Sequence, residues 1–330
     1  MSSGGTAPAD WAALIVGLSA GLACRLATLD RDKRHYPGWP SGYVTQFTMG
    51  AIASLIGGTI VPALVAKEWT AATFLTLAAT QFNSGRQTEM QVLQGEEKMT
   101  LVERGPAYIS GLASNFQSRN FLAMLVAVVA ALGTHLFKLD LGVLIAIVAL
   151  VASMWLTSGS TVGEHVRVRP GIVKFEKGTL LFVDDVMLME VGLPHSRERM
   201  LEEGMGVVLE PRSPRGESIL WNLGQRQAIT HEAAAAVGVQ QDVGYPEQSP
   251  LVRMRMPYPD GTAALFILPV VPDMDRLRRA IEHTPVLESV RSQNWPVPHV
   301  RKSRIQRDDS PVGMKAANGP AGLVESTSKS

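Results

Sequence analysis

Few residues in this chain have the types and spacing that catalysis requires. Gly17-Leu18-Ser19-Ala20-Gly21 matches the GxSxG pattern, which can carry a nucleophilic serine, and His135 could act as its base. The same five residues form GxxxG, in which small side chains let helices pack closely. Ser19 falls in the middle of a long apolar run, whereas His135 falls near the end of another. We therefore interpret the segment as a packing motif, with an intramembrane serine hydrolase using Ser19 as the less favoured alternative.

The sequence gives weaker signals for metal binding, for disulfide bonds and for nucleic-acid binding. His231-Glu232 lacks the second histidine of the HExxH zinc motif. Asp184-Asp185 could hold a divalent cation, but such a pair more often ends a strand in a polar turn. The single cysteine, Cys24, excludes an intramolecular disulfide framework, and the net charge of +1 gives no reason to expect nucleic-acid binding. The sequence therefore predicts no catalytic, cofactor-binding or metal-binding residue, no cofactor and no nucleic-acid partner.

The distribution of charge divides the 330 residues into two halves. Up to about Ser158 the chain contains long uncharged stretches, whereas charged residues recur every few positions from Glu164 onward. After a short N-terminal tail (1–10), we predict a transmembrane helical domain over 11–158, because its apolar runs are long enough to cross about 30 Å of hydrocarbon. About five spans are predicted, with the third short for a crossing and the last two joined as a hairpin: 11–29, 43–66, 69–82, 121–137 and 141–158.

Lysine and arginine are distributed unevenly among the connections between these spans. The first connection, the stretch from 83 to 118 and the segment after the fifth span are basic, whereas the N-terminal tail has neither lysine nor arginine. Short basic connections remain in the cytoplasm. Five crossings of the bacterial cytoplasmic membrane, with the N-terminus outside, would place all three basic segments and the C-terminal domain on the cytoplasmic side.

The C-terminal half predicts a small soluble α+β domain over 159–295, followed by a disordered tail over 296–330. Alternating apolar segments between Val166 and Gly192 predict two or three strands, and 251–257 with 263–271 predicts a hairpin. The segments 206–212 and 218–222 also look like strands. Helices are predicted at 196–204, at 225–237 and after Asp273.

The connection after the first span is unusually rich in basic and aromatic residues. Such residues beside a span suit contact with lipid headgroups. They also serve as a topology signal with an aromatic belt, which we take as their main role. The candidate headgroup contacts are Arg31, Lys33, Arg34, Tyr36 and Trp39, with Arg119 as a further anchor before the fourth span.

The segment AYISGLA at Ala107–Ala113, followed by SNFQSRNFLAML, resembles the signature of the YIEGIA family of bacterial membrane proteins. Ser110 and Leu112 replace the Glu and second Ile that name the family. The resemblance extends to RDKRHYPGWPSGY, to KEWTAATFLTLAATQF and to LGQRQAI at 223–229. It implies a multi-pass membrane protein of spore-forming bacteria, and hence a link to sporulation, without a known activity. Small residues in this segment make Tyr108 and Gly111 candidates for an interface, packed at the cytoplasmic boundary against the short third span.

These observations favour a non-enzymatic membrane scaffold or regulator whose cytoplasmic domain binds a protein partner. The alternative is a transporter or channel component, for which intramembrane ionisable residues such as Arg25 are the usual indication. Small-residue motifs in the spans also raise self-association through helices as a prediction.

Overall fold

Long helices form the N-terminal half of the protein. The structure is a computed structural model, and it describes residues 8–32, 40–97, 102–241, 250–256 and 261–292. The long helices are α1 (Pro8–Asp32), α2 (Pro40–Val65), α3 (Trp69–Glu97) and α4 (Pro106–Leu156).

Helix α4 is folded back on itself at Lys138. This residue has φ 75° and ψ 171°, which is not helical, so it divides α4 into a first arm (106–137) and a second arm (139–156). Gly142 lies directly against Thr134, and a Cβ at Gly133 would lie 3.0 Å from the Ile145 side chain. In a straight helix, residues eight apart are about 12 Å apart along the axis. The two arms therefore pack against each other on either side of Lys138, and they form the hairpin that the sequence predicted.

The GxxxG motif of α1 lies where three helices meet. A Cβ on Gly17 would be 2.8 Å from the Ala127 carbonyl oxygen, and one on Gly21 would be 2.9 Å from the Ala123 carbonyl oxygen. On the α2 side, Gly21 also faces Ser54. Such short separations exclude any larger side chain, which is the reason for glycine here. The numbering runs in opposite directions, so α1 and the first arm of α4 are antiparallel.

Helix α3 follows α2 after a turn at Lys67, which has φ 56°. Its first half exposes Trp69, Phe74 and Leu77, whereas Leu93 near its other end is fully buried. Leu93 belongs to the same hydrophobic cluster as Tyr108 at the start of α4. Helix α3 therefore leaves the end of α2 and reaches the core around the start of α4.

Three of the described helices are long and apolar enough to cross a membrane, namely Trp11–Leu29, Tyr43–Val65 and Pro106–Leu156. By length and composition, the predicted count of about five spans is therefore not supported. Helix α3 falls outside this group because polar residues follow its short apolar start. The predicted fourth and fifth spans belong to the single helix α4.

The C-terminal half, here called the sheet domain, contains two antiparallel sheets and short helices. One sheet has the strand order β1-β5-β7-β6 and the other β2-β3-β4. The strands are β1 (Val166–Gly171), β2 (Val173–Glu176), β3 (Leu180–Val183), β4 (Val186–Glu190), β5 (Met205–Pro211), β6 (Val252–Arg255) and β7 (Ala263–Ile267). The helices are α5 (Val162–His165), α6 (Pro194–Glu203), α7 (Pro214–Trp221), α8 (Leu223–Val237), α9 (Met274–Glu282) and α10 (Glu288–Ser292). A helical half followed by a small domain of helices and sheets agrees with the predicted fold class.

The sheet domain has three layers, because its central strands are buried on both faces. Val207 and Leu265 belong to a cluster shared with the helices, whereas Val208 and Phe266 belong to a second cluster shared with β3 and β4. Successive residues of a strand point to opposite faces, so β5 and β7 separate the two cores. The helix layer covers one face of the four-stranded sheet, and the three-stranded sheet covers the other.

One predicted strand is a helix. Residues 218–222 form the end of α7 and its C-terminal cap, not a strand. Ser213 caps this helix by accepting a hydrogen bond from Gly216 N at 3.2 Å, and Pro214 occupies the first helical position. Ser-Pro is a helix-start signal. It overrides the apolar Ile219-Leu220-Trp221 run, which resembles a strand when read alone.

Candidate functional site at the junction of the long helices and the sheet domain

The first turns of α4 belong to the core of the sheet domain. Pro106 begins the helix after Gly105, which has φ 84°. Tyr108, Leu112 and Phe116 follow at intervals of four, so they share one helix face, and all three are buried. They pack in one cluster with residues of β5, β7 and α8. The segment Tyr108–Ala113 is therefore part of the junction between the long helices and the sheet domain, which also contains Leu93 of α3.

Gly111 is where α10 comes close to α4. A Cβ on Gly111 would lie 3.1 Å from Leu287 Cδ1 and 3.5 Å from Ser289 Oγ. Leu287 is itself buried in the same cluster as Leu112. The predicted interface residues Tyr108 and Gly111 thus lie together, on a helix surface covered by the sheet domain.

Amide side chains link α4 to the sheet domain, and α8 to the segment before α10, by hydrogen bonds to the backbone. Tyr108 N, in the first turn of α4, donates to Gln227 Oε1 at 3.0 Å. Glu288 N donates to Asn115 Oδ1 at 3.2 Å. The fully buried Gln225 accepts from Leu287 N at 2.8 Å and donates to the Pro285 carbonyl at 3.0 Å. Removing one partner of such a buried bond leaves a polar group unsatisfied, at a cost of about 1–3 kcal/mol.

Charged and hydroxyl groups extend this junction toward the apolar part of α4. Arg119 is buried, and its Nε lies 3.6 Å from Glu288 Oε1. Ser118 Oγ donates to Glu288 Oε2 at 2.6 Å. Arg119 was predicted as a lipid anchor, but within the described residues its side chain faces the carboxylate of α10. The first strongly exposed apolar residue of this arm, Leu125, follows less than two turns later.

The segment before α10 also contacts the far end of the α4 hairpin. Val286 N donates to the Ser160 carbonyl at 3.0 Å, and Val162 N donates to the Thr284 carbonyl at 2.9 Å. Ser160 follows the second arm of α4, whereas Asn115 precedes the apolar part of the first arm. Residues 284–288 therefore bridge the two ends of the hairpin.

His231 on α8 lies beside the connection between α3 and α4. Its Nδ1 is 3.1 Å from the Val102 carbonyl oxygen, so the neutral ring donates there in the Nδ1–H tautomer. Its ring centroid is 6.3 Å from that of Tyr108. Burial, with a smaller contribution from the Arg104 charge, lowers the pKa of His231 below its ordinary value. The geometry is that of a half-buried histidine whose neutral ring is hydrogen-bonded to the connection.

Arg25 is a fully buried arginine among the long helices. Its Nη2 donates to Gln46 Oε1 at 2.6 Å, and its Nη1 lies 3.4 Å from Thr28 Oγ1. Gly50 of α2 makes room for it, since a Cβ there would be 2.9 Å from Arg25 Cδ. The side chain therefore joins α1 to α2.

The structure does not support Ser19 as a nucleophile. Ser19 is exposed, on the side of α1 away from Gly17 and Gly21, and its hydroxyl donates to the Val16 carbonyl at 3.0 Å. Residues 17 and 21 face α4, so a residue midway between them points away from α4 and from its His135. The packing interpretation of GxSxG agrees with the contacts.

Both oxygens of Asp184 are engaged within the protein. Oδ1 accepts from Ile172 N at 2.7 Å, and Oδ2 pairs with Arg169 at 2.6 Å. Partial burial opposes ionisation, but these two contacts outweigh it and hold the pKa of Asp184 below its ordinary value. This geometry is that of a structural turn.

Some predicted residues lie outside the description. Lys33, Arg34, Tyr36 and Trp39 lie outside the described residues, as does the side chain of Arg31.

The residues of the site that the sequence did not predict are Asn115, Gln225, Gln227 and Glu288. A signal for two of them was present, because Gln225 and Gln227 fall in LGQRQAI, which carries part of the family resemblance. The segments 107–113 and 223–229 contact each other.

The fold defines a class of protein in which long apolar helices share a hydrophobic core with a C-terminal sheet domain. Among known families, the model described as "YIEGIA protein" matches residues 13–296. The chain belongs to the YIEGIA family. It is 36% identical over 276 residues to "Uncharacterized protein YphB" of Bacillus subtilis (strain 168), which covers 84% of this chain and 92% of that protein. No solved structure matches. Neither name states an activity.

Proposed function

We propose that the protein is a multi-pass protein of the bacterial cytoplasmic membrane that acts as a non-enzymatic scaffold or regulator. Its sheet domain, on the cytoplasmic side, binds a protein partner. The observation that carries this proposal is the shared core, because the first arm of α4 continues from the sheet domain into the apolar bundle without a break. A partner bound to the domain is thereby connected rigidly to the helices in the membrane.

Five passes are consistent with the contacts. Gly17 and Gly21 face Ala127 and Ala123, so α1 approaches the sheet domain at its C-terminal end. Helix α2 returns, and α3 runs back to the core that contains Leu93. The apolar part of α3, Trp69–Phe82, rises about 20 Å, and the polar residues that follow, Arg86 among them, would lie at the sheet-domain end. The two arms of α4 supply the remaining passes.

Exposed tryptophans mark both ends of this bundle. Trp11 and Trp69, at the starts of α1 and α3, are 56% and 68% exposed and lie at the end far from the sheet domain. Trp155, in the last turn of α4, is 78% exposed and lies at the near end. Tryptophan is enriched at membrane–water interfaces. These positions support a bilayer between the two levels, which α3 would also cross.

The basic residues support the cytoplasmic orientation. The two connections at the far end carry one lysine each between the helices, Lys67 and Lys138. The connections at the sheet-domain end carry Arg31, Lys33 and Arg34, and then Arg86, Lys98 and Arg104. An excess of lysine and arginine in short connections favours the cytoplasm.

Self-association through helices stays a prediction. Gly17 and Gly21 are occupied by contacts within the chain, so association would use another surface, such as the exposed first half of α3. The family resemblance makes sporulating cells the natural setting in which to look for the partner.

Photo-crosslinking in living cells tests partner binding. A crosslinking amino acid at Val270 or at Ile172, both strongly exposed on the sheet domain, should give a discrete protein adduct. The same group at Leu144, exposed on the second arm of α4, should give lipid adducts only. The reciprocal crosslink from the identified partner should return this protein. Adducts at Leu144 with none at either sheet-domain position would contradict partner binding.

A transporter or channel component is the second candidate, favoured by the buried Arg25 and its hydrogen bond to Gln46. Ion and solute flux in liposomes reconstituted with the purified protein separates the two. Flux that is absent in Arg25→Gln but present in the native protein would favour transport. Flux no greater than that of empty liposomes would exclude the transporter hypothesis.

A further inference from the structure

The four-stranded sheet of the sheet domain has one end beside α4. Strand β1 begins directly after α5, and α5 begins six residues after Leu156, where α4 ends. Val166 at the start of β1 pairs with Pro211 at the end of β5, so both residues lie at this end, here called the α4-side end. The opposite, distal end contains Gly171, Met205 and Ile267.

The α4-side end lies at the level where α4 enters the proposed membrane. Thr161, just before α5, forms a β-bridge with Pro285, which belongs to the segment that bridges the two ends of the α4 hairpin. Trp155, which marks the membrane interface, is six residues before Thr161 and is 78% exposed. Helix α5 is a single turn of four residues, about 6 Å long, so β1 begins close to this level. The attraction of an anionic membrane surface extends over about a Debye length, which is about 10 Å at 0.1 M salt.

Exposed arginines gather at the α4-side end. Arg212 follows β5, and its backbone N donates to the His165 carbonyl at 2.9 Å. Gly216 lies directly against the same carbonyl oxygen, which places Arg215 and the start of α7 beside α5. Arg167 is the second residue of β1. Arg167, Arg212 and Arg215 are all exposed, and we call them the arginine cluster.

The neighbouring carboxylates do not neutralise the arginine cluster. Glu164 is held in the capping box at the start of α5, and Glu210 pairs with Arg169 at 2.6 Å. Within the part of the chain that the structure describes, no carboxylate oxygen lies within 4.0 Å of a guanidinium nitrogen of the cluster. This includes Glu217 and Glu282, the other carboxylates close to α5. The cluster therefore presents its charge to the solvent.

The charge and the position of the arginine cluster suit an anionic membrane surface. The planar guanidinium group binds a phosphate through two parallel hydrogen bonds. Each cation near an anionic membrane strengthens binding about fivefold. A second copy of this chain would present the same positive charges, and like charges repel. An acidic protein would have to fit between this end of the sheet and the bilayer.

We infer that the α4-side end of the sheet is a second membrane contact of this protein, in which the arginine cluster binds the phosphate groups of anionic phospholipids. The inference rests on the proposed membrane placement. The contact holds the sheet domain with its distal end away from the bilayer. It is electrostatic and is therefore weakened by salt, since the Debye length falls from about 10 Å at 0.1 M to about 3 Å at 1 M.

The test uses the full-length protein in nanodiscs of phosphatidylcholine, with or without phosphatidylglycerol. Pro214→Cys, exposed between Arg212 and Arg215, carries a fluorophore that spin-labelled headgroups quench on contact. The native Cys24 is buried, and the parent chain measures any labelling there. Quenching should rise with phosphatidylglycerol and fall again in 1 M salt. Equal quenching with and without the anionic lipid, or no quenching, would overturn the inference.

A label at the distal end is the positional control. Val270, three residues after β7, is 62% exposed. A fluorophore at Val270→Cys should not be quenched in either kind of nanodisc. Quenching at position 270 as strong as at position 214 would contradict the orientation of the sheet domain.

Matched charge variants identify the residues responsible. R212Q/R215Q should lower the equilibrium constant for membrane contact about 25-fold, at about fivefold for each arginine. R253Q/R276Q removes two exposed arginines that lie outside the cluster and should change it less than about twofold. R212K/R215K keeps the charges and should stay within about threefold of the native value, which a folding defect would not allow. Equal effects of R212Q/R215Q and R253Q/R276Q would contradict a contact through the arginine cluster.

A label at Leu144→Cys separates failure of this inference from failure of the proposed membrane placement. Acyl-chain spin labels should quench it, because Leu144 is exposed on the second arm of α4. Quenching there without quenching at position 214 rejects only the second contact. Absence of both rejects the membrane placement itself.

Discussion

The sheet domain should not fold when it is separated from α4. In a polypeptide of residues 159–295, the cluster that contains Val207, Leu209 and Ile229 loses the side chains contributed by the first arm of α4. Those side chains are Tyr108, Ile109, Leu112 and Phe116, each exposed by no more than 2% in the intact protein.

The expected loss is as large as the stability of a typical domain. Burial of a large apolar side chain contributes about 1.5–3 kcal/mol, so four of them contribute about 6–12 kcal/mol. Domains unfold with a total of about 5–15 kcal/mol. The missing hydrogen bonds of Gln227 and Asn115 lower the stability further.

Urea titration followed by near-UV circular dichroism measures the effect. Residues 159–295 alone should show no cooperative transition. The same residues preceded by 102–119 and a Gly/Ser linker of about ten residues should show one, because the linker has only to bridge Arg119 and the neighbourhood of Ser160. A cooperative transition of 159–295 alone, with the slope expected for its size, would refute the shared core.

Two further predictions concern helix packing and pH. Gly57→Ala places a methyl group against the Met124 carbonyl oxygen and 2.9 Å from Ala127 Cβ, so it should destabilise the protein in detergent by about 1–3 kcal/mol. The control Gly95→Ala places its methyl group in open space and should stabilise the protein by up to about 1 kcal/mol. Equal shifts of the thermal midpoint in the two variants would contradict the packing of α2 on α4. Because burial lowers the pKa of His231, the unfolded chain binds this proton more readily, so stability should fall as the pH drops below about 6.5 toward the folded-state value. His231→Asn should reduce that fall between pH 8 and 5, and an unchanged pH profile would exclude His231 as its source.

Local patterns in the sequence predicted much of the fold. The start of α9 at Asp273, which accepts from Arg276 N at 2.9 Å, and the end of α8 before Gly238 follow from capping chemistry within a few residues. The β6–β7 pair follows from two apolar segments separated by turn residues, although 257–260 lie outside the description. Each of these signals is contained in one short stretch of chain.

The candidate site is formed by contacts between distant parts of the chain, which local sequence patterns do not predict. Tyr108 meets Gln227 across 119 positions, and Asn115 meets Glu288 across 173. Periodicity indicates that Tyr108 and Leu112 share a face, but it does not indicate which element covers them. For the same reason the sequence does not indicate that Arg25 and Arg119 are buried. Their partners, Gln46 for Arg25 and Glu288 for Arg119, lie on other elements.

The bridge formed by residues 284–288 has a consequence for biosynthesis. Phe116 and Leu287 belong to one cluster, yet 171 positions separate them along the chain. At about 5–20 residues per second, a ribosome needs roughly 10–35 s to proceed from one to the other. During that interval the first turns of α4 have left the ribosome without their covering strands and helices. The nascent protein therefore passes through a stage in which its long helices are complete while an apolar surface beside them awaits the last-made segment, and chaperones have that long to act.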